Sequence, residues 1–216
     1  GSVEVTDRGA MGGPGLFMEW AVGKRGEIFP EGAGKLMMPG ARILWEMHLH
    51  AIGEKVEAGQ VELGVWLYPV GETPRNRTRL NMFDARGRSD LDIPPGEVAV
   101  TQDFHVLKWP ARLENFQPHM HFRGKRVLYT AYFPDGEVRK LLNVPNYHFN
   151  WQMIYTPVEP IFLPKGTKVV VTGAFDNSAM NLGNPAPDEE VRYGPQSWEE
   201  MFIGHMQIGN VSPTTS

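Results

Sequence analysis

The sequence predicts an all-β fold, a jelly-roll-like β-sandwich with part of a second β-sandwich on its N-terminal side. The 216 residues include 24 Gly and 18 Pro without a Gly-X-Y repeat, which is typical of many turns between short strands. Apolar runs recur at intervals of roughly ten residues between these turns, as they do in sandwich folds. Only residues 198–202 suggest a helical turn, and five residues do not hold a helix alone.

The N-terminal part predicts a loose arm followed by an incomplete domain. Residues 1–15 contain five Gly and one Pro and are expected to form the arm. The partial domain spans 16–75, with strands expected over 43–50 and 61–68 because both runs are rich in aliphatic and Trp residues. The polar stretch 72–88 carries five Arg and is interpreted as a linker or long surface connection, so we place the domain boundary after residue 75.

The C-terminal domain is predicted to span 76–210, followed by a tail over 211–216. Pro134-Asp135-Gly136 predicts a hairpin turn, because Pro presets φ and Gly accepts a positive φ. Leu163-Pro164-Lys165-Gly166 predicts a second turn for the same reasons. The expected strands of this domain cover 98–107, 114–122, 127–133, 138–144, 150–155 and 167–175.

Composition excludes several classes of function. Apolar residues make up 41% of the chain and aromatic residues 11%, which is a globular composition. A formal net charge of −4 provides no electrostatic footprint for nucleic acid. No run of 18 apolar residues is present, so no membrane-spanning helix is expected. The absence of Cys excludes thiolate metal sites, cysteine catalysis and disulfides.

Two His-x-His pairs are the main chemical signal, His48 with His50 and His119 with His121. In a strand, residues i and i+2 point to one face about 6.6 Å apart, so two imidazoles can approach one metal ion. For either pair taken alone, a solvated polar face of a strand is as good an interpretation as metal binding. With no thiolate available and 11 Met present, two imidazoles and one thioether would form a soft site that favours Cu(I).

The second pair lies in a run that resembles a known family, the copper type II, ascorbate-dependent monooxygenases. This family includes the peptidylglycine α-hydroxylating and dopamine β-monooxygenases, and the bacterial relatives are the most similar. The resemblance runs from about Gly15 to Ile208. Its residues are Phe116-Gln117-Pro118-His119-Met120-His121-Phe122-Arg123-Gly124-Lys125, then Phe175-Asp176-Asn177-Ser178, Asn184-Pro185, Val191-Arg192-Tyr193-Gly194 and Trp198-Glu199-Glu200-Met201.

The resemblance implies a copper cofactor bound by His119, His121 and Met201, which would also be the catalytic residues. Trp45-Glu46-Met47-His48 resembles the segment that carries one histidine of the family's second, electron-transfer copper. His50 and His105 are extra histidines that could complete that second site. Gln117, Asp176 and Asn177 could orient the imidazoles of the first site. His148 and His205 are expected to be structural or surface groups.

The implied activity is hydroxylation of a C–H bond with O₂ and an external reductant, such as ascorbate or a redox protein. The substrate is a small molecule or a peptide, and the implied location is periplasmic or extracellular. Peptidylglycine is not expected, because Gln117 stands where the peptide-hydroxylating branch has an arginine and His205 where it has a tyrosine.

The sequence is also compatible with two other functions. The family's second copper uses two adjacent histidines, and no His-His pair occurs in this chain. The matching strand is therefore expected upstream of Gly1, or lost. One alternative is accordingly a copper-binding or electron-transfer module without hydroxylase activity. The other is a carbohydrate- or protein-binding β-sandwich in which both histidine pairs are surface groups.

Overall fold

The computed structural model describes residues 17–48, 52–55, 61–84 and 91–211. The expected arm over 1–15, His50 and most of the expected tail lie outside these residues. The described part contains nine strands, which are β1 (Ala33–Gly34), β2 (Asn76–Asp84), β3 (Val98–Val106), β4 (Ala111–Met120), β5 (Gly124–Tyr132), β6 (Val138–Val144), β7 (Ile161–Leu163), β8 (Lys168–Asp176) and β9 (Phe202–Asn210). No helix in it is long and apolar enough to cross a membrane.

The strands form two sheets, which confirms the all-β sandwich. One sheet has the order β1-β2-β9-β4-β7 and the other has the order β3-β8-β5-β6. The main core lies between them and includes the edge-to-face pairs Phe116–Tyr129 and Phe175–Phe202, with ring centroids 5.0 and 6.1 Å apart. The sheets approach closely at Gly204, where an added Cβ would lie 2.7 Å from a methyl carbon of Val171.

Both predicted turns are present. The backbone N–H of Phe133 donates to Glu137 O at 2.8 Å, and Gly136 has a φ of 93°, so the turn joins β5 to β6. Gly166, with a φ of 88°, lies between β7 and β8. In each turn the Gly supplies the positive φ that other residues rarely adopt.

The expected linker over 72–88 contains a long strand instead. β2 pairs with β9 through seven residue pairs from Thr78↔Gly209 to Asp84↔Ile203. Thr78 is buried while Arg77 and Arg79 on either side of it are exposed. The arginines therefore follow the period of two expected for a strand. Their charge makes the segment resemble a polar linker in the sequence, although the neighbouring strand pairs with it.

Several expected strands are not formed. Residues 43–48 and 61–68 have no strand pairing, and Leu44, Trp45, Trp66 and Leu67 are exposed there. Of the described residues up to 75, only β1 is a strand, and it pairs with β2 of the main sandwich. Residues 150–155 contribute a single bridge, Phe116↔Tyr155. An apolar run forms a strand only where a partner strand satisfies its backbone. The boundary after residue 75 stays a prediction.

Candidate metal centre

A β-bulge in β4 decides which face of the sheet carries the histidines. The register with β9 shifts between Leu113 and Asn115, so that Glu114 is the extra residue. Before the bulge the odd position Leu113 faces the core, whereas after it the even positions Phe116 and Met120 do so. The extra residue reverses the alternation. His119 consequently points to the outer face of the five-stranded sheet, opposite to the core.

His119 and His121 are brought together at the end of β4. Their ring centroids lie 5.3 Å apart with the rings perpendicular. A ring that binds a metal at 2.0–2.1 Å through one nitrogen has its centroid about 3 Å from the ion, so two such rings fit this separation. The strand spacing of the pair thus produces the convergence that the sequence suggests.

The Nδ1 atom of each imidazole faces an oxygen acceptor. His119 Nδ1 lies 2.6 Å from Gln152 Oε1, and the orientation of this amide is set because Gln152 Nε2 donates to Phe149 O at 2.8 Å. His121 Nδ1 lies 3.2 Å from Glu199 O. Both neutral rings therefore carry their proton on Nδ1 and have the lone pair on Nε2, which is the arrangement found in metal-binding histidines.

Gln152 and Glu199 are the orienting groups, and the sequence did not indicate either of them. Of the three side chains expected in this role, Gln117 donates to Glu19 Oε2 at 2.5 Å, and Asp176 accepts from the backbone N–H of Ser178. Asn177 accepts from Arg123. Gln152 lies in a loop 33 residues from His119, and nothing in its local sequence marks it as a partner of a strand histidine.

Met201 lies beside His121 by strand register. Met120 pairs with Phe202 at the end of the β4–β9 ladder, so the next antiparallel positions are His121 and Met201. Extending the alternation of β9 by one residue puts Met201 on the outer face, with Ile203 and His205. The side chain is 2% exposed. The structure thus places all three residues of the expected ligand set at one end of the same strand pair.

A buried hydrogen-bond network holds the backbone of this region. Glu200 accepts hydrogen bonds from the N–H groups of His121, at 2.9 Å, and Arg123, at 2.6 Å. The Arg123 guanidinium donates to Asn177 Oδ1 and to Trp198 O, both at 2.7 Å. Asn177 in turn donates to three backbone carbonyls. These motif residues therefore hold the segment that precedes Met201 against the turn at His121.

Burial controls the protonation of this centre. Burial first and the nearby imidazole of His119 second lower the pKa of His121 to about 4. The ring is therefore neutral at pH 7 and needs no deprotonation before it binds a metal. Burial also raises the pKa of Glu200 to about 8, against the opposing effect of the N–H groups of Arg123 and His121 and of the Arg123 charge.

His205 is a third imidazole at the site, and its burial was not expected. It lies opposite Gln117 in the β4–β9 register, is 3% exposed, and its ring centroid is 6.5 Å from that of His119. Its Nδ1 has no hydrogen-bond partner among the described residues. Burial lowers its pKa to about 3, with smaller effects from the charges of His119 and Lys24. A strand prediction over 202–208 would have placed His205 on the same face as Met201, because the two residues are four positions apart and alternate residues of a strand share a face.

The outer face around His205 is covered by the segment 17–35. Glu19 accepts from Gln117, and Val22 O accepts from the backbone N–H of Gln152 at 2.8 Å. Within the segment, the carboxylate of Glu27 binds Lys24 at 2.7 Å and Lys35 at 2.8 Å, with all three side chains nearly buried. This cover shields the polar side chains of the sheet from water.

Of the other expected ligands, His48 and His105 do not join this pair, and His50 lies outside the described residues. His48 lies in an unpaired segment, is exposed, and has its Nε2 3.2 Å from the Glu46 carboxylate. His105 lies on β3 of the other sheet, where it is opposite Val169. Within the described ranges, no group of three or more His, Cys, Asp or Glu side chains is arranged to hold a metal. A site that uses Met as a ligand falls outside this statement.

Comparison with known proteins does not assign a family. No protein-family model and no curated protein matches the chain. A similar solved structure is a chain described under the T13 IBDV viral particle, with 10% sequence identity and a TM-score of 0.28. The alignment covers 68% of this chain and 35% of that chain, so this chain spans about a third of that one. At this TM-score the similarity carries no argument about function.

Proposed function

We propose that this chain binds one copper ion through His119, His121 and Met201, and that it is a copper-dependent monooxygenase-like protein or its C-terminal part. One observation carries the proposal. The two imidazoles lie side by side with both Nδ1 atoms facing oxygen acceptors. In this arrangement each ring carries its lone pair on Nε2, and Met201, with its thioether, lies one position beyond the last β4–β9 pair, Met120↔Phe202.

The chemistry of these donors fits copper. Two neutral imidazoles and one thioether form a soft set without charge, which favours Cu(I) over Zn²⁺, Mg²⁺ or Ca²⁺. The lowered pKa of His121 keeps its ring neutral well below pH 7. The Glu200–Arg123 network fixes the backbone on both sides of His121, so little ordering has to accompany binding.

The proposed activity is hydroxylation of a C–H bond. Bound copper would supply the redox centre at which O₂ is activated, with electrons from an external reductant such as ascorbate or a redox protein. The chain's own residues hold the nitrogens in place through Gln152 and Glu199 and exclude water on the covered side through the segment 17–35. A small-molecule or peptide substrate and a periplasmic or extracellular location belong to the same proposal.

A copper-binding or electron-transfer module without hydroxylase activity is the second candidate. The positions of His48 and His105 favour it, because His48 is exposed and lies beside the Glu46 carboxylate while His105 lies in the opposite sheet. These two do not converge on a second centre. Ascorbate-driven turnover through a second copper then has no site in the described part of the chain.

The experiment is an anaerobic Cu(I) competition titration against a chromogenic chelator, joined to X-ray absorption at the copper edge. We expect one tightly bound Cu(I) with a sulfur scatterer in the wild type. Met201→Ala should weaken Cu(I) binding by about tenfold or more and remove the sulfur signal. Met180→Ala is the matched control, because Met180 is 86% exposed. Unchanged Cu(I) affinity in Met201→Ala would overturn the ligand set, and an oxygen-consumption assay with ascorbate separates the two candidates.

A further inference from the structure

A cavity of about 360 Å³ opens beside the histidine pair, on the side of Phe149. Its volume falls in the range of pockets that bind small organic molecules. It is formed by the turn after β4 with the start of β5, the loop after β6 and the loop after β8. The lining residues are Phe122, Gly124, Lys125, Tyr147, His148, Phe149, Asn150, Asn181, Leu182 and Gly183.

One aromatic wall is shared between this cavity and the metal centre. The ring of Phe149 packs edge-to-face against His121, with centroids 6.0 Å apart. The same ring packs against Phe122 at 4.7 Å. Both phenylalanines line the cavity. A molecule in the cavity therefore contacts the ring that also contacts the proposed ligand His121.

The cavity contains a fixed cation and no carboxylate. Lys125 donates from Nζ to Asn181 Oδ1 at 2.7 Å, and among the described residues it makes no ion pair. Asn181 is buried and is itself held by a hydrogen bond from its Nδ2 to Asp176 O at 2.8 Å. The ammonium is thus held at the wall by a neutral partner, and its charge is left uncompensated by the lining.

His148 adds a second donor to the lining. Its Nδ1 accepts the backbone N–H of Asn150 at 3.2 Å. The neutral ring therefore carries its proton on Nε2. One cation, one N–H donor and two phenyl rings form a set that complements a negatively charged group attached to a flat apolar body.

We propose that this cavity binds a small aromatic carboxylate, with the carboxylate on Lys125 and the ring against Phe122 and Phe149. The proposal rests on the copper function in one respect only, namely that this class of molecule would be the substrate of the copper centre. The binding itself requires no metal. Gly124 N donates to His121 O at 3.2 Å, so a single tight turn joins the anchor Lys125 to His121, and the bound molecule lies next to the proposed centre.

The test uses metal-free protein and two probes of nearly equal shape, 3-phenylpropanoate and its neutral amide, followed by NMR titration. We expect the carboxylate to bind in the millimolar range or tighter and the amide about tenfold more weakly. Lys125→Gln should lose this preference, while Lys125→Arg should keep it. Lys140→Gln is the matched control, because Lys140 is an exposed lysine on β6, and it should bind like the wild type.

Two results would overturn the proposal. The first is equal binding of the carboxylate and the amide by wild type, or no binding of either. The second is an equal loss of binding in Lys125→Gln and Lys140→Gln, which would indicate general charge attraction only. Thermal unfolding of each variant shows that it is folded, and Phe149→Leu, which keeps the charge, should weaken both probes alike. Cu(I) affinity measured on Lys125→Gln should equal that of wild type, so a failure of the pocket and a failure of the copper centre are distinguishable.

Discussion

Glu200 accepts a hydrogen bond from the backbone N–H of His121 at 2.9 Å, so the residue that precedes one proposed copper ligand holds the backbone of another. The two residues are 79 positions apart in the chain. The same carboxylate also binds the N–H of Arg123 and is completely buried. This one side chain therefore ties the segment just before Met201 to the backbone around His121.

We expect Glu200→Ala to destabilise the protein by about 2–4 kcal/mol, because two buried N–H groups lose their acceptor. Urea unfolding measures the loss, and Cu(I) affinity should fall with it as the turn at His121 loosens. Glu190→Ala is the control, since this carboxylate is half exposed and binds Arg192 at the surface; its effect should stay within about 0.5 kcal/mol. Equal losses in the two variants would show that Glu200 has no special role.

Gln152 is expected to control the copper affinity of His119 without being a ligand. Gln152→Leu removes the acceptor for Nδ1–H and should lower Cu(I) affinity by about 10–100-fold. Gln152→Glu keeps an acceptor oxygen in the same place and should retain wild-type affinity or exceed it. The chelator titration measures both variants. If the two behave alike, the hydrogen bond at 2.6 Å does not tune the imidazole.

The sequence predicts local features well where they depend on adjacent residues. Strand β6 matches its predicted bounds, and the Pro134-Asp135-Gly136 turn forms as its residue types require. The outward position of His119 depends instead on the bulge at Glu114. That carboxylate is stabilised by Thr78 at 2.9 Å and Arg112 at 2.7 Å, and Thr78 belongs to another strand.

The remaining differences have the same physical origin. β2 and β9 form because each supplies the other's backbone partners, and such pairing has no signature in a single segment. Residues 61–68 show the converse, since a strand-like apolar run stays unpaired where no neighbour is available. His119 and His121 were predictable because their relation is i to i+2. Gln152 was not, because its relation to the pair is purely tertiary, and His205 required a strand prediction over 202–208 that the local sequence did not suggest.

Acidification should destabilise the protein through its buried histidines. The pKa of His121 is lowered to about 4 and that of His205 to about 3, both by burial. Below an unfolded-state pKa of about 6.5, the unfolded chain binds protons that the folded chain does not, so stability falls as the pH decreases. Each histidine should cost about 2 kcal/mol between pH 7 and pH 5, at about 1.4 kcal/mol per pH unit below 6.5.

The check is urea unfolding of wild type and His205→Gln at several pH values from 7 to 5. The variant has no imidazole to protonate at this position, so its stability should fall by about 2 kcal/mol less over the same interval. Identical pH dependence in the two proteins would mean that His205 is protonated equally in the folded and unfolded states. That result would contradict its burial beneath the segment 17–35.

The cover over the outer face depends on Glu27, whose carboxylate forms ion pairs with two lysines. Burial raises the pKa of this carboxyl, but the charges of Lys35 and Lys24 outweigh it, and the pKa is lowered overall. Glu27→Gln leaves two nearly buried ammonium groups with a neutral partner, so we expect a loss of about 3 kcal/mol in stability. The part of the cover before β1 should then open first, because polar contacts such as that of Glu19 with Gln117 hold it on the outer face. Diethylpyrocarbonate labelling followed by mass spectrometry reports this opening as faster modification of His205. The control is Glu31→Gln, because Glu31 is exposed. If Glu27→Gln is destabilised but His205 is still labelled slowly, something other than this segment shields the imidazole.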